Sequence, residues 1–143
     1  MIARTVTVRL SNAKDATQKA WMAMRITRLA EVQVQFDADP AEAVKRDTVS
    51  FLHPLTENES KVLKSEIVGG ILMARKQAGR IGFKAELLFL GGAIGDSGRV
   101  AAMPSVAYAV GATMAVLHGL GVADRPEVPR GGFGWSLDAV ELE

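Results

Sequence analysis

Four glycines, Gly91, Gly92, Gly95 and Gly98, lie close together between an apolar run and a long uncharged stretch. Consecutive backbone N–H groups in a turn of this kind can cradle an anion, helped by the partial positive charge at the start of a following helix. Ser97 adds a hydroxyl and Arg99 a cation to the same segment. The candidate ligand site is therefore Gly92, Gly95, Ser97, Gly98 and Arg99 of the turn 91–99, with Arg130 from a later loop, and the implied ligand is small and anionic. The spacing is not GxGxxG, and no Gly-Lys-Ser/Thr follows, so neither a dinucleotide fingerprint nor a P-loop is present. A tight turn forced by close packing accounts for the same glycines, and both readings stand.

Residues Gly95 to Gly98 read GDSG. The block resembles the surroundings of the nucleophile in trypsin-like serine proteases, and the strand-then-GDS block of GDSL-type esterases. Either resemblance implies a nucleophilic Ser97, yet each covers only these four residues. The chain is too short for the two-barrel protease fold and lacks its alanine-histidine motif. The esterase block opens its domain and is followed by a DxxH near the C-terminus; neither holds here. A serine nucleophile requires an adjacent base. Any catalytic set would be drawn from Ser97, Asp96, His53 and His118, and no spacing brings these together. His118 falls in the last turn of a helix pattern, where an imidazolium meets the helix C-terminal dipole favourably, so its expected role is structural. His53 precedes Pro54 at the end of a strand pattern. No HExxH, paired histidine or carboxylate cluster at ligand spacing occurs, so no metal is expected, and nothing specifies a cofactor. A third candidate is RPEVPRGGFGW (125–135), where Arg125, Arg130, Phe133 and Trp135 suit either a recognition loop or an arm packed on a neighbouring subunit.

Composition removes several classes. Lys plus Arg number 17 against 16 Asp plus Glu, without a run of three basic residues, so there is no field for nucleic acid. Cysteine is absent, which excludes disulfide scaffolds, thiolate metal sites and cysteine nucleophiles. The apolar share of 48% excludes disorder. MIARTVTVRL has no secretory apolar block, and residues 100–123, though uncharged, contain Pro104, His118 and several glycines. A cytoplasmic protein without a membrane span is expected.

The elements that must position these residues follow from periodicity. Ile2, Val6, Val8 and Leu10 alternate as a strand, with Arg4 the exception. Met22, Met24 and Ile26 sit at even positions, as in a strand, although Trp21, Met24, Arg25 and Leu29 also fit a helix. EVQVQFD predicts a strand over 30–37, and TVSFLHP a short one. Thr56 with Glu59 makes a capping box that opens a helix over 57–78, ended by Gly79. Phe83, Ala85, Leu87 and Phe89 share one face of a strand whose other face carries Leu88 and Leu90. The helix 104–119 follows, with Ala107, Gly111, Ala115 and Gly119 as a ridge almost bare of side chains. Such a ridge admits a close neighbour: another backbone, the sheet or a partner subunit. Gly69-Gly70 in the earlier helix suggests that the two helices touch. WSLDAVELE closes the chain as an edge strand.

The expectation is one α+β domain over residues 1–143, with a mostly antiparallel sheet of four to five strands and both helices on one face. A half-covered sheet predicts a homo-oligomer. Two functions remain open: a small-molecule binding protein or enzyme with its site at the turn 91–99 near a subunit boundary, or a non-catalytic structural or assembly subunit.

Overall fold

The alternating stretches form strands because each loads one face with apolar side chains, and that face has somewhere to be buried. The computed structural model describes residues 2–15, 17–29, 49–51, 55–79, 81–94, 106–122, 127–129 and 134–143. The elements run β1 (Ile2–Asn12), β2 (Gln18–Arg28), β3 (Val49–Phe51), α1 (Glu57–Ala78), β4 (Phe83–Ile94), α2 (Val106–Leu120) and β5 (Trp135–Leu142). The sheet order is β3-β4-β2-β1-β5. β4, β2, β1 and β5 pair antiparallel, while the three-residue β3 lies parallel beside β4. The fold is α+β, as the periodicities require. The strand reading of 20–28 holds and the helical alternative fails, because Ala20, Met22, Met24 and Ile26 all enter the core. The strand expected over 30–37 lies outside the described residues.

One face of the sheet is the core face. Val6, Val8 and Leu10 of β1, Ala20, Met22, Met24 and Ile26 of β2, and Phe83, Ala85, Leu87 and Leu90 of β4 are buried there in one cluster. The alternation in β4 departs from the sequence reading. Ala23 pairs with Phe89 but Met24 with Leu87, so Leu88 is an extra residue in a bulge. The bulge reverses the inside–outside order beyond it: Leu90 turns into the core, and Phe89 turns outward at 45% exposure.

Both helices cover this core face. α2 is buried on nearly every side. A Cβ on Gly111 would meet Met22 Sδ at 2.6 Å and Leu10 Cδ1 at 3.2 Å, and one on Gly119 would meet Ile26 Cβ at 2.7 Å. The bare ridge therefore receives side chains of β1 and β2, not another backbone. The close backbone approach occurs on a different side of α2. There a Cβ on Gly70 would fall on the carbonyl of Ala109, and Thr113 Oγ1 donates to Gly70 O at 2.8 Å. α1 lies over the β3–β4 side, with Lys64 Nζ 5.4 Å from the Phe51 ring centroid and the Arg75 guanidinium 5.8 Å from that of Phe83. Gly79 (φ 74°) and Gly121 (φ 75°) end the two helices in the left-handed conformation. At Gly121 the bonds Gly121 N–H to His118 O and Val122 N–H to Leu117 O complete a Schellman cap. At the start of α1, Ser60 N–H bonds to Thr56 O; the Glu59 side chain of the capping box lies outside the described residues.

Candidate functional site

The glycine-rich segment divides in two. Gly91 and Gly92 are not turn residues: β4 runs on to Ile94, and they pair with Trp21 and Ala20 of β2. Gly91 has a packing role there. A Cβ on Gly91 would overlap the Trp21 indole, which lies across the backbone, and the Gly91 carbonyl accepts a bond from Tyr108 Oη at 2.9 Å. Gly92 is buried opposite Ala20. The missing side chain of Gly91 thus lets an aromatic ring lie close against the outward side of the strand while Tyr108 ties its carbonyl to α2. Gly95, Asp96, Ser97, Gly98, Arg99, His53 and Arg130 lie outside the described residues.

His118 is half-buried in the last turn of α2. Burial pushes its pKa below the ordinary 6.5. Burial thus favours the neutral imidazole over the imidazolium. Among the described residues no group of three or more His, Asp or Glu could hold a metal ion. No described helix is long and apolar enough to cross a membrane.

The structure brings forward a surface that no sequence motif marks. The odd positions of β2 (Trp21, Ala23, Arg25 and Thr27) point away from both helices. Beside them are Thr5, Thr7 and Arg9 of β1, and Lys84, Glu86 and Phe89 of β4. The centre of this outward face is low, made of Thr5, Thr7 and Ala23. Phe89 stands beside Ala23 on β4, and Trp21 rises at one end. At the other, Glu86 is held by Arg25 Nη1 at 3.4 Å and Lys84 Nζ at 3.9 Å, with only 12% of its side chain exposed. At the β5 side Arg9 pairs with Glu141 at 3.3 Å. A signal for this face was present in the sequence: a tryptophan at an odd position of a strand whose even positions from 20 to 26 are all apolar. The exposure of Phe89 was not visible, since it depends on the bulge.

No family model, no curated protein and no solved structure matches this chain.

Proposed function

We propose that this protein is a binding module working through the outward face of its sheet, closer to an assembly subunit than to an enzyme. The supporting observation is Phe89, 45% exposed on the face that also carries the Trp21 indole, while the core face is filled by the chain's own helices. Aromatic side chains gathered on a surface offer large apolar area at little entropic cost, which is why they are enriched at recognition surfaces. The packing role of Gly91 supports the same reading, because it explains one of the four glycines without a ligand. A photo-crosslinking residue at position 23, on the outward face, should give adducts above monomer mass in cells expressing the protein. The same residue at exposed position 61 of α1 should not. Equal labelling from both positions, or none from position 23, counts against the module reading.

The ligand reading now centres on residues 95–99, where Asp96, Ser97 and Arg99 stand within five residues between β4 and α2, with Arg130 from the later loop. Its test is a thermal-shift panel of small anions on wild type and Arg99→Ala. A ligand at 100 times its Kd adds about 2.7 kcal/mol of stability. The expected result for a true site is a rise in Tm for wild type that Arg99→Ala loses; no rise with any anion removes this reading.

A further inference from the structure

We propose that the occupant of the outward face is a second copy of this chain, packed face to face about a two-fold axis that crosses the strands at Ala23. The inference rests on the module reading above and names its partner. Trp21 and Arg25 lie on the same strand and the same face, each two residues from Ala23. An axis at Ala23 therefore sets Trp21 of each copy opposite Arg25 of the partner subunit. Indole and guanidinium attract one another, and the contact forms twice by symmetry. Phe89, the cross-strand neighbour of Ala23, meets its own symmetry mate across the axis. The low centre of Thr7 and Ala23 leaves room for these taller side chains.

Charge favours the same occupant. Glu86 already has Arg25 and Lys84, and Glu141 has Arg9, so the charges named on this face nearly cancel. A strongly charged partner finds no matching field there, whereas a copy of the same nearly neutral face meets no repulsion at its centre. The two Glu141 side chains approach at the β5 margin, where each is already paired with Arg9.

The available area sets the strength. Four strands about 4.8 Å apart, and about four outward residues per strand spaced roughly 6.8 Å, offer roughly 500 Å² per copy. The total, on the order of 1,000 Å², is at the small end of specific interfaces and implies a reversible dimer with Kd on the order of 1–100 μM.

Analytical ultracentrifugation of the purified chain between about 1 and 200 μM, spanning that Kd, tests this. The partners of wild type are Ala23→Arg, which sets a bulky charge on the axis, and Arg25→Ala, which removes the contact to Trp21 while Lys84 still holds Glu86. Circular dichroism checks that all three are folded. The expected result is a monomer–dimer equilibrium in wild type, weakened at least tenfold in both variants. A wild type that stays monomeric at the highest concentration overturns the self-partner inference alone; position-23 adducts in cells would then still report another occupant of the face. A dimer that persists unchanged in both folded variants forms on another surface and overturns the inference, while the position-23 cross-links still decide the module reading.

Discussion

Gly69 and Gly70 are neighbours in one helix and have opposite roles. A Cβ on Gly69 meets nothing within 4 Å, whereas one on Gly70 would collide with the Ala109 carbonyl. Gly69→Ala should therefore raise stability by ~0.5–1 kcal/mol, the ordinary gain of alanine over glycine in a helix. Gly70→Ala should lower it by ~1–3 kcal/mol, because the obstacle is backbone and cannot step aside. Denaturant midpoints of the two variants decide this; equal shifts would mean that the helices cross elsewhere. The same logic ranks the glycines of the α2 ridge. Opposite Gly111 stands a methionine with freely rotating bonds, which can give way. Opposite Gly119 stands Ile26, met at its branched Cβ and Cγ1 (2.7 and 2.8 Å) and anchored to a central strand. Gly119→Ala should cost ~1–3 kcal/mol and Gly111→Ala no more than ~1 kcal/mol. The reverse order in the same titrations would refute the ridge geometry.

Among the elements, α2 carries most of the dependence, because it touches the sheet on one side and α1 on another. Thr113 is the polar link between the helices: its hydroxyl reaches Gly70 O at 2.8 Å and Ala109 O at 3.0 Å inside the core. Thr113→Val keeps the shape and removes the hydroxyl. A loss of ~0.5–1.5 kcal/mol is expected, readable in a denaturation series. His118 at the end of α2 makes stability depend on pH. Its folded pKa is lowered from 6.5 by burial, so the unfolded chain takes up the proton first as pH falls. Stability contributed by this site is thus unaffected above 6.5 and declines as pH drops from 6.5 toward the lowered folded value. His118→Gln should lose less stability than wild type between about pH 7.5 and about pH 5.5. Parallel slopes for the two proteins over that range would show that burial is not acting on the imidazole. The β1–β2 hairpin has a smaller device that acts in the same direction, losing stability as pH falls. Asp15 accepts both the hydroxyl and the N–H of Thr17, which lowers its carboxyl pKa and favours the turn while it is ionised.

For the whole molecule, the distribution of apolar contact is lopsided. One sheet face and both helices make up the core, and the other face presents Trp21, Phe89 and three ion pairs. The exposed Arg9–Glu141 pair adds little to stability, as exposed pairs generally do. Substitutions on this face should affect association far more than folding. Ala23→Ser, which adds one small hydroxyl there, should move the denaturation midpoint by less than the equivalent of ~0.5 kcal/mol. A larger loss would place position 23 in the core.

Period and punctuation alone determined most of the elements. The even-numbered apolar residues of β1 and β2 require strands with one buried face. The Thr56–Gly79 interval bounds α1, whose bounds at Glu57 and Ala78 match the expectation, because capping and termination are local chemistry. The Ala/Gly ridge of α2 announced a close approach, and Gly69-Gly70 a contact between helices. What approaches, and which glycine of the pair matters, came only from the tertiary structure. A missing side chain records that space was needed there but carries no mark of the neighbour that fills it. Gly91 and Gly92 illustrate the same limit, since a run of glycines looks alike whether it bends a turn or lies beneath an indole. The outward position of Phe89 depends on one extra residue opposite Ala23 and Met24, and a bulge is a property of two paired strands. Neither strand encodes it alone.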